Sequence, residues 1–178
     1  MILMKKIIKS LAILILLSSS LNSDATTDPA NSSSYQMDAP PDNLKLMVTE
    51  AWDFMFPKEG VSSDYKKAYE LNLNAYNLGH PEGASNIGLL YERGLGVEKD
   101  IELASNWYLL AISSKFHSPQ AEIGLARISI QKGYLDSADK YLKAAKINAL
   151  DPKSLWQEES ADFIRAILDL QDRLERLK

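Results

Sequence analysis

The sequence predicts an all-α fold: a solenoid of about three stacked helical hairpins, closed by a helix at the C-terminal end. Three observations carry that expectation. The chain repeats itself at intervals of 34–37 residues. A glycine-rich stretch, GLLYERGLGVEKD at 88–100, has the chemistry of a turn between two helices. The last helical pattern has an apolar seam at heptad-like spacing, as a cap on such a stack requires.

The first 25 residues are unlike the rest. Lys5, Lys6 and Lys9 make a basic start, LAILILL at 11–17 is a short apolar run, and small residues follow, with Ser23 and Ala25 at the spacing of a signal-peptidase site. This order is that of a secretory signal peptide, residues 1–25, cleaved near Ala25. Seven clean apolar residues fall far short of the ~20 needed to span a bilayer, so no stable membrane insertion is expected after cleavage. Residues 26–42, rich in Ser, Asp and Pro, are expected to form a disordered spacer. The expected helical repeat domain is 43–149, and the capping helix is 150–178.

Removing the signal leaves 17 Lys and Arg against 23 Asp and Glu, a charge of −6. Such a surface repels phosphate backbones and argues against nucleic acid as partner. The chain has no Cys, so packing alone must hold it together. An exported chain of this size without disulfides suits a bacterial periplasm, and the expected location is periplasmic or secreted.

The glycines at 88–100 do not cradle a phosphate. A dinucleotide loop needs a third Gly where Lys99 stands, and a P-loop needs Gly-Lys-Ser/Thr. Before them, Ala84, Ile87, Gly88 and Tyr91 share one helical face. Gly94 is therefore expected in the left-handed conformation that ends a helix. Asp100 is expected to cap the next helix.

The pattern recurs. Gly60-Val61 and Gly96-Val97 stand 36 residues apart, as do Asp64 and Asp100, Ala68 and Ala104, and Ala75 and Ala111. His80 and His117, and Ala84 and Ala121, stand 37 apart. A third, shorter copy repeats Ala104, Trp107 and Ala111 as Ala138, Tyr141 and Ala145. Such periods mean helical hairpins, none of which buries its apolar face alone. Gly88, Ala104 and Ala111 are expected where the two helices of a hairpin cross. Trp107, Tyr91 and Tyr141 are expected to fill the space between hairpins.

The central unit, GASNIGLLYERGLGVEKDIELASNWYLLA, resembles the Sel-one-like repeat (SLR) family, which is related to the tetratricopeptide repeats (TPR). The match runs through Ala84, Ile87-Gly88, Tyr91, Gly94, Gly96-Val97, Asp100, Ala104, Trp107-Tyr108 and Ala111. The first unit departs from it, with Trp52 where the repeat has Gly, and the third lacks the long turn. The resemblance implies a right-handed solenoid of SLR/TPR-like repeats whose first helices line a concave face. Carrying the tetratricopeptide groove positions across implies a partner-binding face of Glu82, Ser85, Leu89 and Glu92, with Leu46, Thr49, Asp53 and Phe56 in the first unit. Leu89 and Phe56 are expected to project outward as exposed apolar contacts.

No residues assemble into chemistry. The two histidines lie one repeat apart, roughly 10 Å in a helical stack, too far for one tetrahedral metal. No Cys nucleophile, G-x-S-x-G or H-E-x-x-H is present, and the acidic residues read as a solvated face. No cofactor, no metal and no enzymatic activity are expected. The function implied by the resemblance is an exported scaffold for a protein or peptide partner, an adaptor or regulator in envelope assembly, secretion or host contact. Two rivals are an envelope hydrolase and a self-assembling structural protein.

The C-terminal segment begins with Asp151 as a cap and Pro152 at the first helical position. Phe163, Ile167, Leu170, Leu174 and Leu177 then follow at 4, 3, 4, 3 spacing. Two heptads suit a helix that covers the last hairpin; a homodimer through the same seam is the alternative. A monomer is the expected state.

Overall fold

The computed structural model describes residues 42–114, 118–151 and 159–178. The signal-peptide and spacer expectations, and His117, lie outside the described residues. Seven helices and no strand are found among the described residues: α1 (Asp42–Met55), α2 (Tyr65–Asn77), α3 (Pro81–Arg93), α4 (Ile101–Ser113), α5 (Pro119–Gln131), α6 (Leu135–Leu150) and α7 (Ser160–Glu175). None of them is long and apolar enough to cross a membrane.

Local chemistry sets the helix starts. Asp64, Asp100 and Ser118 each accept a hydrogen bond from the backbone N–H three residues on, at 3.0, 2.9 and 3.3 Å. These bonds satisfy donors that the first turn leaves open. Pro81 and Pro119 occupy the first turns of α3 and α5, where no intrahelical N–H is needed. Gly94 ends α3 at φ 72°, ψ 37°, the left-handed conformation expected of it. The turn then closes through Leu95 N–H to Leu90 O (2.9 Å) and Asp100 N–H to Tyr91 O (3.0 Å). The glycine-rich stretch is a helix-to-helix turn.

α1/α2, α3/α4 and α5/α6 pack as hairpins. α2 lies on α3 and α4 on α5, so each hairpin rests on the next; α1, α3, α5 and α7 also meet in sequence. α7 takes the place of the next hairpin's first helix. Small residues at the crossings let the helices close: Ala68, Ala75, Ala104, Ala111, Ala138 and Ala145 are all fully buried. The Tyr108 ring fills the central crossing between two glycines. A Cβ on Gly88 would stand 2.7 Å from one edge of the ring, and a Cβ on Gly124 2.5 Å from the other. Trp107 is buried beside it with Tyr76 edge-on at 5.7 Å, so Trp107 is core as expected, while Tyr91 and Tyr141 pack partly buried against the same core.

The middle of the C-terminal seam faces inward, with Phe163 partly buried and Leu177, past the end of α7, 52% exposed. Ile167, Leu170 and Leu174 are buried against α5 and α6, in one core with Ile123, Leu142 and Ala145. Those side chains are already covered within the chain, so a homodimer through them would require α7 to leave its own solenoid. The helix start expected at Pro152 falls outside the described residues. Asp151 stands at the C-terminal end of α6, and α7 begins at Ser160; residues 152–158 lie outside the described residues.

Candidate binding surface

α1 is the first described helix and packs on α2 and α3. It buries Leu44, Val48, Ala51 and Met55 at 4, 3, 4 spacing, with Met47 and Phe54 partly buried beside them. Leu46, Thr49, Asp53 and Phe56 are all exposed, Leu46 at 69% and Phe56 at 37%. Trp52 is also exposed and leans on Phe56, ring centroids 4.7 Å apart. Thr49 turns its hydroxyl back to Lys45 O at 2.9 Å. α1 and the residue after it thus present Leu46, Trp52 and Phe56 beside polar side chains.

The four positions on α3 behave differently. Leu89 is 6% exposed and packs with Met55, Ala68 and Leu90, so the expectation that it faces solvent is corrected. The cause is its direction: it points to the preceding hairpin, α1/α2. Asp53, 36 residues earlier, has no preceding described hairpin to meet and is exposed. Ser85 is fully buried, its hydroxyl 2.7 Å from that of Ser118 at the start of α5. Glu82 and Glu92 are half-buried. The eight positions therefore do not form one open face. Three lie on the surface of α1 and Phe56 just past its end, and two of the α3 set are inside the stack.

Polar contacts between residues about one repeat apart hold the hairpins in register. Arg127 grips both oxygens of Glu92, Nε to Oε1 at 2.6 Å and Nη2 to Oε2 at 2.7 Å, and Tyr108 donates to Oε2 at 2.7 Å. Burial pushes the Glu92 carboxyl up, but the Arg127 fork and the Tyr108 hydroxyl outweigh it and hold it below its ordinary value. A second chain runs from Gln120 Nε2 to Asn86 Oδ1 (3.0 Å) and from Asn86 Nδ2 to Asn72 Oδ1 (2.9 Å). It ends with Asn72 Nδ2 donating to Ala68 O at 2.9 Å. Glu92 is thus occupied by the fold. Arg127→Ala is expected to cost about 1–3 kcal/mol, because it strips charge-assisted bonds from a half-buried carboxylate. Urea melts of Arg127→Ala, Glu92→Gln and the double variant would measure it; additive losses would show that the pair is not coupled.

The other titratable groups are shaped by burial. His80, at the N-cap of α3, is buried, and burial with the nearby Lys45 charge lowers its pKa to about 4. Glu82 rises to about 7 through burial and the Glu159 charge, partly offset by Lys45. Glu122 on α5 is 3% exposed. The solvated-face reading of the acidic residues therefore fails at Glu122 and in part at Glu82. No group of His, Cys, Asp and Glu side chains among the described residues could hold a metal ion.

Sequence reasoning missed Arg127, the Asn72–Asn86–Gln120 chain and Glu122. A signal existed for the first two. Glu92 and Arg127 lie 35 residues apart and Asn86 and Gln120 lie 34 apart, so residues about one repeat apart touch across the stack. Nothing local marks Glu122.

Fold and surface define the class: a helical-hairpin repeat protein whose hairpins are keyed to one another one repeat apart. Residues 56–80 and 81–115 match the model of the Sel1 repeat. The second match covers α3, the glycine turn and α4; the first covers the loop after α1 and all of α2. The chain is also similar to the chitin synthase regulator SKT5 of Saccharomyces cerevisiae, 28% identical over 67 residues. That stretch is 38% of this chain and 10% of the yeast protein. Sel1 repeats generally mediate protein–protein interaction, and proteins made of them are typically non-enzymatic scaffolds.

Proposed function

We propose that this chain is an exported scaffold for protein–protein interaction, acting as an adaptor or regulator in a bacterial envelope, in secretion or in host contact. The observation that carries the reading is a stack of Sel1-type hairpins whose first described helix leaves Leu46 and Trp52 in solvent, with Phe56 exposed just past its end. Trp52 and Phe56 form one exposed apolar pair and Leu46 stands apart from them; none of the three joins the described core, and exposed apolar side chains of this kind mark contact sites. Export is supported by the basic start, short apolar run and Ser23/Ala25 spacing of residues 1–25. SKT5 is named as a regulator of a synthase; positioning an envelope enzyme is the corresponding role proposed for this chain.

One experiment tests both halves. The full chain is expressed with a C-terminal tag in its native host, beside Leu46→Asp/Phe56→Asp. Wild type is expected to retain a partner from envelope extract that the variant loses, while the two melt within ~2 °C of each other, as surface substitutions do. Equal capture by both would remove α1 as the contact. Mass spectrometry of the same bait is expected to find a new N-terminus at about residues 20–26; an intact Met1 would remove the export assignment.

A further inference from the structure

Glu122 is out of place for a surface charge. It sits in the first turns of α5, the helix enclosed by α3, α4, α6 and α7. Its side chain is 3% exposed. Oε1 accepts one hydrogen bond, from Asn148 Nδ2 on α6, at 2.7 Å. Oε2 is buried with no hydrogen-bond partner. An ionised carboxylate needs several donors or a cation to replace the water it leaves, and one amide donor is too few.

Several charges on the surrounding helices are engaged elsewhere. On α3, Glu92 is held by Arg127, and Glu82 acts with Glu159 and Lys45. On α4, Glu102 pairs with Lys132, and on α6 Asp139 pairs with Lys143. On and just past α7, Arg165 pairs with Asp162, Arg176 with Asp172 and Lys178 with Glu175, Lys178 also acting on Asp136 and Asp139 of α6. Among the described residues, Asn148 is the polar neighbour that acts on Glu122 itself.

We propose that Glu122 is a proton sensor that holds the α5–α6 hairpin closed as the neutral acid and loosens it on ionisation. Neither the export assignment nor the α1 contact is needed for this. Burial raises the group to about 7, with the Asn148 bond opposing the shift. The closed state therefore keeps its proton over the range between the ordinary carboxyl value, about 4.5, and about 7, while an opened hairpin has lost it. The stabilisation is complete below that range and falls as pH rises through it. Above about 7 both states are ionised and the dependence ends. α5 and α6 carry the end of the stack and the seat of α7, so the proton sets how firmly that end is closed.

Amide hydrogen exchange on the full chain, from pH 5 to 8 and corrected for intrinsic exchange rates, reads this directly. Protection of α5 and α6 peptides, relative to α2, is expected to fall by up to about tenfold per pH unit between pH 5 and 7 and then level. Glu122→Gln keeps the size and the acceptor for Asn148, and its profile is expected to be flat. A flat wild-type profile, or an unchanged slope in Glu122→Gln, would overturn the proposal. A carbon-detected titration of labelled wild type guards against a variant that fails to fold. A Glu122 midpoint near 7 is expected; one at about 4.5, the ordinary value, overturns the proposal.

Discussion

Gly83→Ala is expected to lower stability by about 3 kcal/mol, the upper end of what overpacking costs, although it adds one methyl group. Gly83 lies on α3 where that helix crosses α2. A Cβ there would run into the carbonyl oxygen of Asn72 and stand 2.8 Å from the backbone nitrogen of Tyr76. Both are backbone atoms inside a helix and cannot rotate aside, so α2 and α3 would have to separate along the crossing. Separation would also stretch the Asn86–Asn72 bond, 2.9 Å, which runs between the same two helices. At Gly88 the obstacle is the ring of Tyr108, a side chain, but that ring is hemmed in by Gly124 and tied to Glu92. A thermal melt should show a fall of ~10 °C for Gly83→Ala in a domain of this size. A melting temperature within a degree of wild type would mean that the helices do not approach this closely.

The features that were legible in the sequence are those fixed by a residue's own backbone or by repetition. Gly94 and Asp100 announced a helix end and a helix start because left-handed backbone and side-chain capping are local properties. Ala104 and Ala111 announced a crossing because the same small residues recur one repeat away. The seam of α7 was legible as a seam. Its use as a cap follows from the burial of Ile167, Leu170 and Leu174 against α5 and α6.

The binding face was less legible, and the reason is enclosure. α3 has neighbours on several sides, α1, α2, α4 and α5. Its small polar residues therefore face other helices rather than water. Ser85 was placed on the binding face, yet it and its neighbour Asn86 are fully buried and hydrogen-bonded across the stack. α1 lacks a preceding described hairpin, and the same register positions emerge there into solvent. Glu122 could not be found at all from its neighbours in sequence. Glutamate is usually a surface residue, and only the packing of α5 shows this one to be interior.

Leu89→Asp is expected to unfold much of the molecule, whereas Leu46→Asp is expected to leave its stability unchanged. Both leucines were placed in one partner-binding set by their register, so identical substitutions separate the two environments. Leu89 is 6% exposed, and the core it joins draws on Met55 of α1, Ala68 of α2 and Leu90 of α3. Aspartate there removes a packed apolar side chain, a loss of about 2–5 kcal/mol for a truncated core leucine. It also leaves an unpaired charge among apolar groups, which adds several kcal/mol or forces the region open. The sum rivals the ~5–15 kcal/mol total stability of an ordinary domain. Leu46 is 69% exposed on the far side of α1, where a substitution costs within about 0.5 kcal/mol. Far-ultraviolet circular dichroism should show weakened helical signal and no cooperative melt for Leu89→Asp, beside a wild-type curve for Leu46→Asp. A normal melt for Leu89→Asp would mean that Leu89 faces solvent after all, and α3 would return to the candidate surface. With Leu89 confirmed as core, a loss of capture in Leu46→Asp reports on binding alone, since the fold it leaves behind is intact.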